Sequence, residues 1–289
     1  MNIKKVKLIL KDLNLRPKKH LGQNFLIEKK TLNKVISEAQ ISNDDIILEI
    51  GPGLGALTEK LVKKAKKVYA IEIDPILSKY ISERFSKCTN IEIINADILE
   101  IEVPFHNKVV SNIPYKITGP IFEKIFFKEK APEGTLIIEK KITERIFFDG
   151  DYKNYSRITI AFNSFMNPIS RFEVPRNSFF PIPKIDLSLI NITPKSQINQ
   201  FLCSNDEKMF YLKFIAGIMP YKNKNIVNAI ELFLKRSGIN NFNKSEFLKS
   251  LQTKKLIDYK VHGLQIDDFI DLCKSVFYFY KIKKKSDSH

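Results

Sequence analysis

The sequence predicts an α/β protein: a mainly parallel sheet covered by helices on both faces, followed by a smaller helical unit. Three observations carry this expectation. Short apolar runs alternate with helix-period segments from about residue 31 to residue 148. The run at 46–50 ends in a glycine-rich turn that opens into a helical pattern, IILEIGPGLGALT over 46–58. From about Pro194 onward period-2 strands stop, and only helical segments follow.

The elements are expected in this order. A short basic amphipathic segment, KKVKLILKDL, leads into RPKKHLGQNFL. On composition this start reads equally as a basic arm near the active face or as a solvated tail. A helix is expected over 31–39, a strand at 46–50, the glycine turn, and a helix over 57–65. A strand follows at 68–73, and Pro75 suits the first turn of a helix over 76–85. Strands at 90–94 and 108–111, a helix over 120–127, a strand at 134–139 and a helix over 140–148 continue the alternation. Residues 157–165 read as helix or strand. Late strands at 172–174 and 187–192 flank the proline-rich loop PRNSFFPIPK. Helices are expected over 207–218, 225–235, 244–250 and 266–279. The expected domains are therefore 1–195, with its basic N-terminal arm, a lysine-rich helical unit at 196–280, and a basic disordered tail at 281–289.

Composition bounds the function classes. The chain has 289 residues, enough for one ordinary core and a small second unit. Lys and Arg number 48 against 32 acids, a formal net charge of +16, which implies a polyanionic partner, most simply nucleic acid. The same charge also keeps a surface soluble. Cys88, Cys203 and Cys273 lie far apart with no C-x-x-C, and His20, His106, His262 and His289 are scattered. No metal site and a reduced compartment are expected. No apolar run reaches a membrane span, and the N-terminus lacks the apolar core of a signal peptide, so no membrane partner and a cytoplasmic location are expected.

The candidate chemistry lies in loops at the carboxyl ends of the strands, where open parallel sheets bind ligands. Gly51, Gly53 and Gly55 have G-x-G-x-G spacing, with Ala56 where a dinucleotide fingerprint has its third glycine and Pro52 inside the turn. Glu49 would repel a pyrophosphate and can hold a positive group or a bridging water. This turn suits a nucleoside-containing ligand without phosphate, and S-adenosylmethionine is the expected cofactor. Glu72, about 20 residues beyond the glycines, stands where the acid that grips a ribose is found. Asp97 can accept from an adenine amine, or cap the helical turn before Ile98. In Asn112-Ile113-Pro114-Tyr115, the Asn112 side chain and the Ile113 carbonyl can draw the hydrogens of an aromatic amine out of plane, and Tyr115 can stack on the base. A proline turn with a buried tyrosine is the plainer reading of that loop. Phe179 and Phe180 either stack on a target base or anchor their loop. A base amine inside a duplex is inaccessible, so the substrate must be flipped or already single-stranded.

Together these motifs resemble the family of ribosomal RNA adenine N6-dimethyltransferases over about residues 16–193. The stretches are HLGQNFL from His20, EIGPGLGALT from Glu49, AIEID from Ala70, NADILE from Asn95, NIPY from Asn112, SRITI from Ser156 and FFPIPKID from Phe179. The resemblance implies a Rossmann-like S-adenosylmethionine-dependent methyltransferase sheet with a C-terminal helical domain that docks on the ribosomal subunit. It implies that Gln23, Asn24 and Leu26 close over the methionine side of the cofactor, and that Gly51, Gly53 and Gly55 shape its turn beside Glu49. Glu72 would hold the ribose, Asp97 and Ile98 the adenine, and Asn112 and Ile113 the far side, with Ile73 also among the cofactor-binding residues. Asn112, Pro114, Tyr115 and Phe180 would position the target adenine. The implied reaction methylates N6 of two adjacent adenosines in the 3′-terminal hairpin loop of small-subunit rRNA, within a pre-ribosomal small subunit and as a monomer. The chain departs from the family at Lys141, where an acid is usual, and in MPYKNKNIVNAI, where Lys222 and Lys224 replace an arginine–lysine cluster. A sister family that methylates one adenosine of large-subunit rRNA shares NIPY and QNFL, and a non-catalytic ribosome assembly factor is the alternative from another class.

Overall fold

A computed structural model describes residues 1–18, 21–148, 155–239, 243–250, 256 and 258–286. His20, which opens the HLGQNFL motif, and residues 287–289 of the tail lie outside them. The chain divides into two compact units, residues 1–144 with 166–194, and residues 145–165 with 195–289. The break near 195 is where the texture of the sequence changes. Residues 145–165 group with the helical unit, whereas the sequence reading placed them with the sheet.

In the first unit the elements run α1 (Ile3–Asp12), β1 (Phe25–Leu26), α2 (Lys29–Glu38), β2 (Ile46–Ile50), α3 (Thr58–Leu61), β3 (Lys67–Glu72) and α4 (Pro75–Arg84). They continue with β4 (Ile91–Asn95), β5 (Lys108–Asn112), α5 (Thr118–Ile121), β6 (Glu133–Glu139) and α6 (Lys140–Ile146), which crosses into the second unit. After α7 (Arg157–Phe165) of the second unit, the chain returns through β7 (Met166–Val174), β8 (Phe179–Phe180) and β9 (Leu187–Pro194). Seven strands form one sheet in the order β4-β3-β2-β5-β6-β9-β7. The first five are parallel, and β9 and β7 join antiparallel. Helices on both faces bury the central strands, which is why β2 reads as an apolar run broken only by Glu49: Ile47 and Leu48 are fully buried and Ile50 nearly so.

The chain goes outward from β2 through β3 to β4, then returns to the other side of β2 to form β5 and β6. The direction of winding therefore reverses between β2 and β5, and a crevice opens where their loops part. The ladder between the two pairs Ile47 with Lys108 and Leu48 with Val109. Beyond it, the Ser111 hydroxyl donates to the Ile50 carbonyl at 2.6 Å, tying the two strand ends together just below the crevice.

Three local results differ from the sequence reading. The helix after the glycine turn spans only Thr58–Leu61. The segment read as one helix over 120–127 is α5 followed by a π-helical turn, Phe122–Phe126. In that wider turn Phe127 N–H donates to Phe122 O at 3.0 Å, and the two rings stack with centroids 6.3 Å apart. Four apolar side chains here, Phe122, Ile125, Phe126 and Phe127, are all fully buried, which a regular helix spreads around its axis. The N-terminal segment, open in the sequence between a basic arm near the active face and a solvated tail, is not a solvated tail. Helix α1 is capped by Asn2, whose side chain accepts from Lys5 N–H at 2.9 Å, and it buries Val6 and Leu10 against Leu15, Phe25, Ile27, Leu54 and Leu77.

The second unit holds α7, α8 (Asn205–Ile218), α9 (Ile226–Arg236), α10 (Lys244–Ser250) and α11 (Ile266–Ser286). Residues 157–165, open between helix and strand in the sequence, are helical. The expected disordered tail is helical through Ser286. Aromatic rings fill this core: Phe214 meets Phe233 edge to face at 5.3 Å, and Phe210 meets Phe277 at 5.0 Å. A Cβ on Gly217 would stand 2.3 Å from the Phe233 ring, so α8 and α9 pack too closely there for any larger residue. No helix among the described residues is long and apolar enough to cross a membrane.

Candidate active site at the strand ends

The glycine turn closes the crevice on one side. Gly51, Gly53 and Gly55 all have positive φ, at 66°, 57° and 74°. Their roles differ. A Cβ on Gly53 would stand 3.0 Å from the Phe25 ring, and its N–H donates to Glu72 Oε2 at 3.0 Å, so the turn is pressed between β1 and the end of β3. A Cβ on Gly55 would lie 2.7 Å from the Phe85 ring. Gly55 therefore serves the packing of the turn on α4 and does not line the crevice.

Glu72 is buried, and each of its oxygens accepts one backbone N–H, from Gly53 and from Asp74, both at 3.0 Å. Each oxygen keeps capacity for a second donor, as two ribose hydroxyls require. Burial pushes its carboxyl up, against the pull of those N–H groups. Glu49, two residues before the turn, is 2 % exposed, and its Oε2 has no hydrogen-bond partner. Burial, with the neighbouring Glu72 charge, pushes the Glu49 carboxyl up to about 8. A buried acid with an orphan oxygen is a receptor for a positive group. Asp97 lines the crevice and its Oδ1 accepts from Leu99 N–H at 2.8 Å, so it is also the turn cap that the sequence allowed.

Asn112 ends β5 on the other side of the crevice. Its Nδ2 donates to the Asn24 carbonyl at 3.3 Å, while its Oδ1 is buried without a partner. The strand pair β1–β8 sets Phe25 opposite Phe180 and Leu26 opposite Phe179, which brings the QNFL and FFPIPK stretches together across more than 150 residues. Gln23 is held from both ends: its Oε1 accepts from Lys18 N–H at 2.7 Å and its Nε2 donates to Asp74 Oδ2 at 2.9 Å. Asp74 also pairs with Lys18 Nζ at 2.9 Å and caps α4 through Ile76 N–H at 3.1 Å.

The resulting cleft is open at its mouth, and its lining includes Gln23, Asn24, Glu72, Ile73, Asp97, Ile98, Asn112 and Pro114. A smaller cleft beside it is lined by Leu26 and Glu49, and shares Asn24, Gly51, Gly53 and Asn112 with the first. Two of the expected base-positioning residues, Tyr115 and Phe180, are not among the residues lining either cleft. The Tyr115 ring packs on the core cluster of Leu26, Val110 and Phe179, its hydroxyl is buried without a partner, and burial pushes its phenol up. Phe180 packs on the cluster around Phe25, with Lys7 Nζ 5.7 Å from its ring centre. Sequence reasoning missed Ser111, Lys18 and Asp74 as the groups that position the crevice. A serine inside the apolar strand VVSN was the one visible sign of the first, and the Asp-Pro helix start of the third. The four candidate loops do meet at one edge of the sheet.

A glycine turn after the first central strand, a buried acid after the second and an orphan amide acceptor across the switch point define a Rossmann-like S-adenosylmethionine-dependent methyltransferase. The residues fit that cofactor: orphaned Glu49 Oε2 suits a cation, and Glu72 has spare acceptor capacity. The chain belongs to the ribosomal RNA adenine dimethylase family, whose model matches residues 14–275. It is 35% identical to a probable ribosomal RNA small subunit methyltransferase A of Methanosarcina mazei, over 78% of this chain and 81% of that one. It is 31% identical to the ribosomal RNA small subunit methyltransferase A of Borrelia garinii, over 95% and 94%. Among solved structures it is similar to a dimethyladenosine transferase from Plasmodium falciparum, with TM-score 0.73 and 28% identity over 86% of this chain and 95% of that one. The 23S rRNA methyltransferase ErmE gives TM-score 0.60 and 25% identity over 88% and 99%. The chain is thus an rRNA adenine N6-methyltransferase of ribosome biogenesis that uses S-adenosylmethionine.

If Glu72 holds the ribose, Glu72→Ala removes a charged acceptor of two hydroxyls, each such bond contributing about 1.5–3 kcal/mol. Cofactor affinity by calorimetry is expected to fall by about two to four orders of magnitude, and an unchanged Kd would remove Glu72 from the ribose site.

Proposed function

We propose that this enzyme dimethylates N6 of two adjacent adenosines in the 3′-terminal hairpin loop of small-subunit rRNA, on a pre-ribosomal small subunit. The observation that carries the chemistry is the buried, unpartnered Oδ1 of Asn112, which lines both clefts at the switch point. Bound S-adenosylmethionine supplies an electrophilic methyl group on a cationic sulfur. Asn112 Oδ1 and the Ile113 carbonyl accept from the N–H groups of the adenine amine and turn its lone pair out of the ring plane. Asn112 Nδ2, anchored on the Asn24 carbonyl, fixes which amide atom faces the amine. Asn112 is neutral, so it orients the amine rather than taking its proton. The gain is orientation and proximity, with Pro114 stiffening the loop.

The small-subunit reading is favoured by the relatives at 31–35% identity, whose names specify that subunit, and by the greater likeness to the dimethyladenosine transferase than to the 23S rRNA enzyme. A catalytically decayed assembly factor has no use for an orphan acceptor and two costly buried acids. The test is mass mapping of rRNA after purified small and large subunits are incubated separately with labelled cofactor. Two neighbouring dimethyladenosines near the small-subunit 3′ end are expected. Label confined to one adenosine of the large subunit would transfer the protein to the sister activity.

A further inference from the structure

The sheet unit carries a second concavity that the methyl-transfer site does not use. It lies among α1, α2, α3 and α4, and every helix supplies a cation: Lys5, Lys29, Lys60 and Arg84, joined by Lys63 and Lys64 just after α3. Its floor is apolar, from Leu32, Ile36 and Ala56, and among the described residues Glu59 is the only carboxylate in its lining. That acid is already engaged, by the Arg84 guanidinium and by Lys63 Nζ at 3.9 Å. Lys60 Nζ donates to Asn33 Oδ1 at 2.8 Å, and Lys5, Lys29 and Lys64 form no ion pair among the described residues. Six cationic side chains against one acid is a concentration of like charge that a folded unit holds only at an electrostatic cost.

We infer that this groove is an auxiliary RNA contact that grips the sugar–phosphate backbone of the substrate outside the target loop. The inference rests on the reading of RNA as substrate and adds where, away from the cleft, the RNA is held. The cations are spread over four helices and do not converge on one point, so the groove matches a string of phosphates and not a single bound anion. Ala56 lines both this groove and the small cleft that holds Asn112, so the two sites meet behind the glycine turn. A strand whose target base enters the cleft can lay its neighbouring backbone in the groove. None of the six cations lines the catalytic cleft.

The test uses the full chain and an RNA hairpin lacking the target loop sequence, with affinity measured by fluorescence anisotropy at several salt concentrations. The triple variant Lys29→Glu, Lys63→Glu, Lys64→Glu is expected to lose at least tenfold in affinity at moderate salt. The slope of log Kobs against log salt should shrink by about 2 to 3, since each of the three phosphate contacts contributes about 0.7–0.9. Cofactor affinity should stay within about twofold, because the groove and the cofactor residues are separate. Glu59→Gln, which removes the only acid, should raise RNA affinity a few-fold. Should the triple variant fail to fold, the neutral Lys29→Gln, Lys63→Gln, Lys64→Gln protein is read in the same way. An RNA affinity and salt slope equal to wild type, with cofactor binding intact, would overturn the inference. Because the probe lacks the target loop, a failure of the small-subunit assignment in the mapping experiment leaves this readout standing, and the reverse also holds.

Discussion

Asn112→Ala is expected to lower the methyl-transfer rate at saturating cofactor by about 10²–10³-fold, the loss typical when one preorganised hydrogen-bonding group is removed from a reacting centre. The cofactor Kd should move little, by about threefold or less. The reason lies in the two ends of the side chain. Nδ2 is held by the Asn24 carbonyl at 3.3 Å, whereas Oδ1 is buried and meets nothing in the protein. A buried acceptor left empty is costly and is retained where a ligand group completes it. An adenine amine is a poor nucleophile until its hydrogens are drawn out of plane, and alanine cannot do that. Asn112→Asp keeps an acceptor at the same place and is expected to retain far more activity than alanine. Single-turnover rates with cofactor prebound make the measurement. Equal rates for alanine and wild type would move the amine-holding role to another group. Parallel losses in rate and cofactor affinity would make Asn112 a cofactor ligand only.

Much of this site was legible because of how a parallel sheet writes itself into sequence. Strands buried on both faces appear as short apolar runs, and the residues that interrupt them at their carboxyl ends stand out: Glu49, Glu72, Asp97 and Asn112. Glycines at 51, 53 and 55 marked the turn, but not that Gly55 serves Phe85 while Gly53 yields space to Phe25. That distinction depends on partners far away in the chain. Strands β1 and β8 have two residues each, too short for any period, so the pairing of QNFL with FFPIPK could not be read. Strand β7 was visible only at its end, because Pro168 interrupts it. The sheet accepts that proline because β7 is an edge strand and its register shifts between Pro168 and Ser170. The grouping of residues 145–165 with the helical unit is likewise a tertiary fact. Tyr115 follows the plainer of its two sequence readings, the buried tyrosine: its ring turns into the core with its hydroxyl unpaired.

Glu49→Gln is expected to stabilise the cofactor-free protein while weakening cofactor binding. In the fold the Glu49 carboxyl is raised to about 8, chiefly by burial, so it is mostly protonated at neutral pH. In the unfolded chain it ionises near its ordinary value of about 4.3. A folded value above the unfolded one means that stability is lost as pH rises through the interval between them. At pH 7 this penalty is on the order of 3–4 kcal/mol, and glutamine, which never ionises, does not incur it. The variant should therefore melt about 5 °C or more above wild type at pH 7.5. The advantage should shrink as pH falls toward 4.5. Cofactor binding should show the opposite preference. A sulfonium and an ammonium favour ionised Glu49, so wild-type affinity rises as pH approaches 8 and binding releases a proton, seen as buffer-dependent heat in calorimetry. The variant should bind more weakly and without that released proton. Titration of the ligand's own amine is common to both proteins and cancels in the comparison. A variant that melts with wild type at every pH would show that Glu49 is not held protonated. Identical proton release in the two proteins would place the cofactor's positive charge away from this acid.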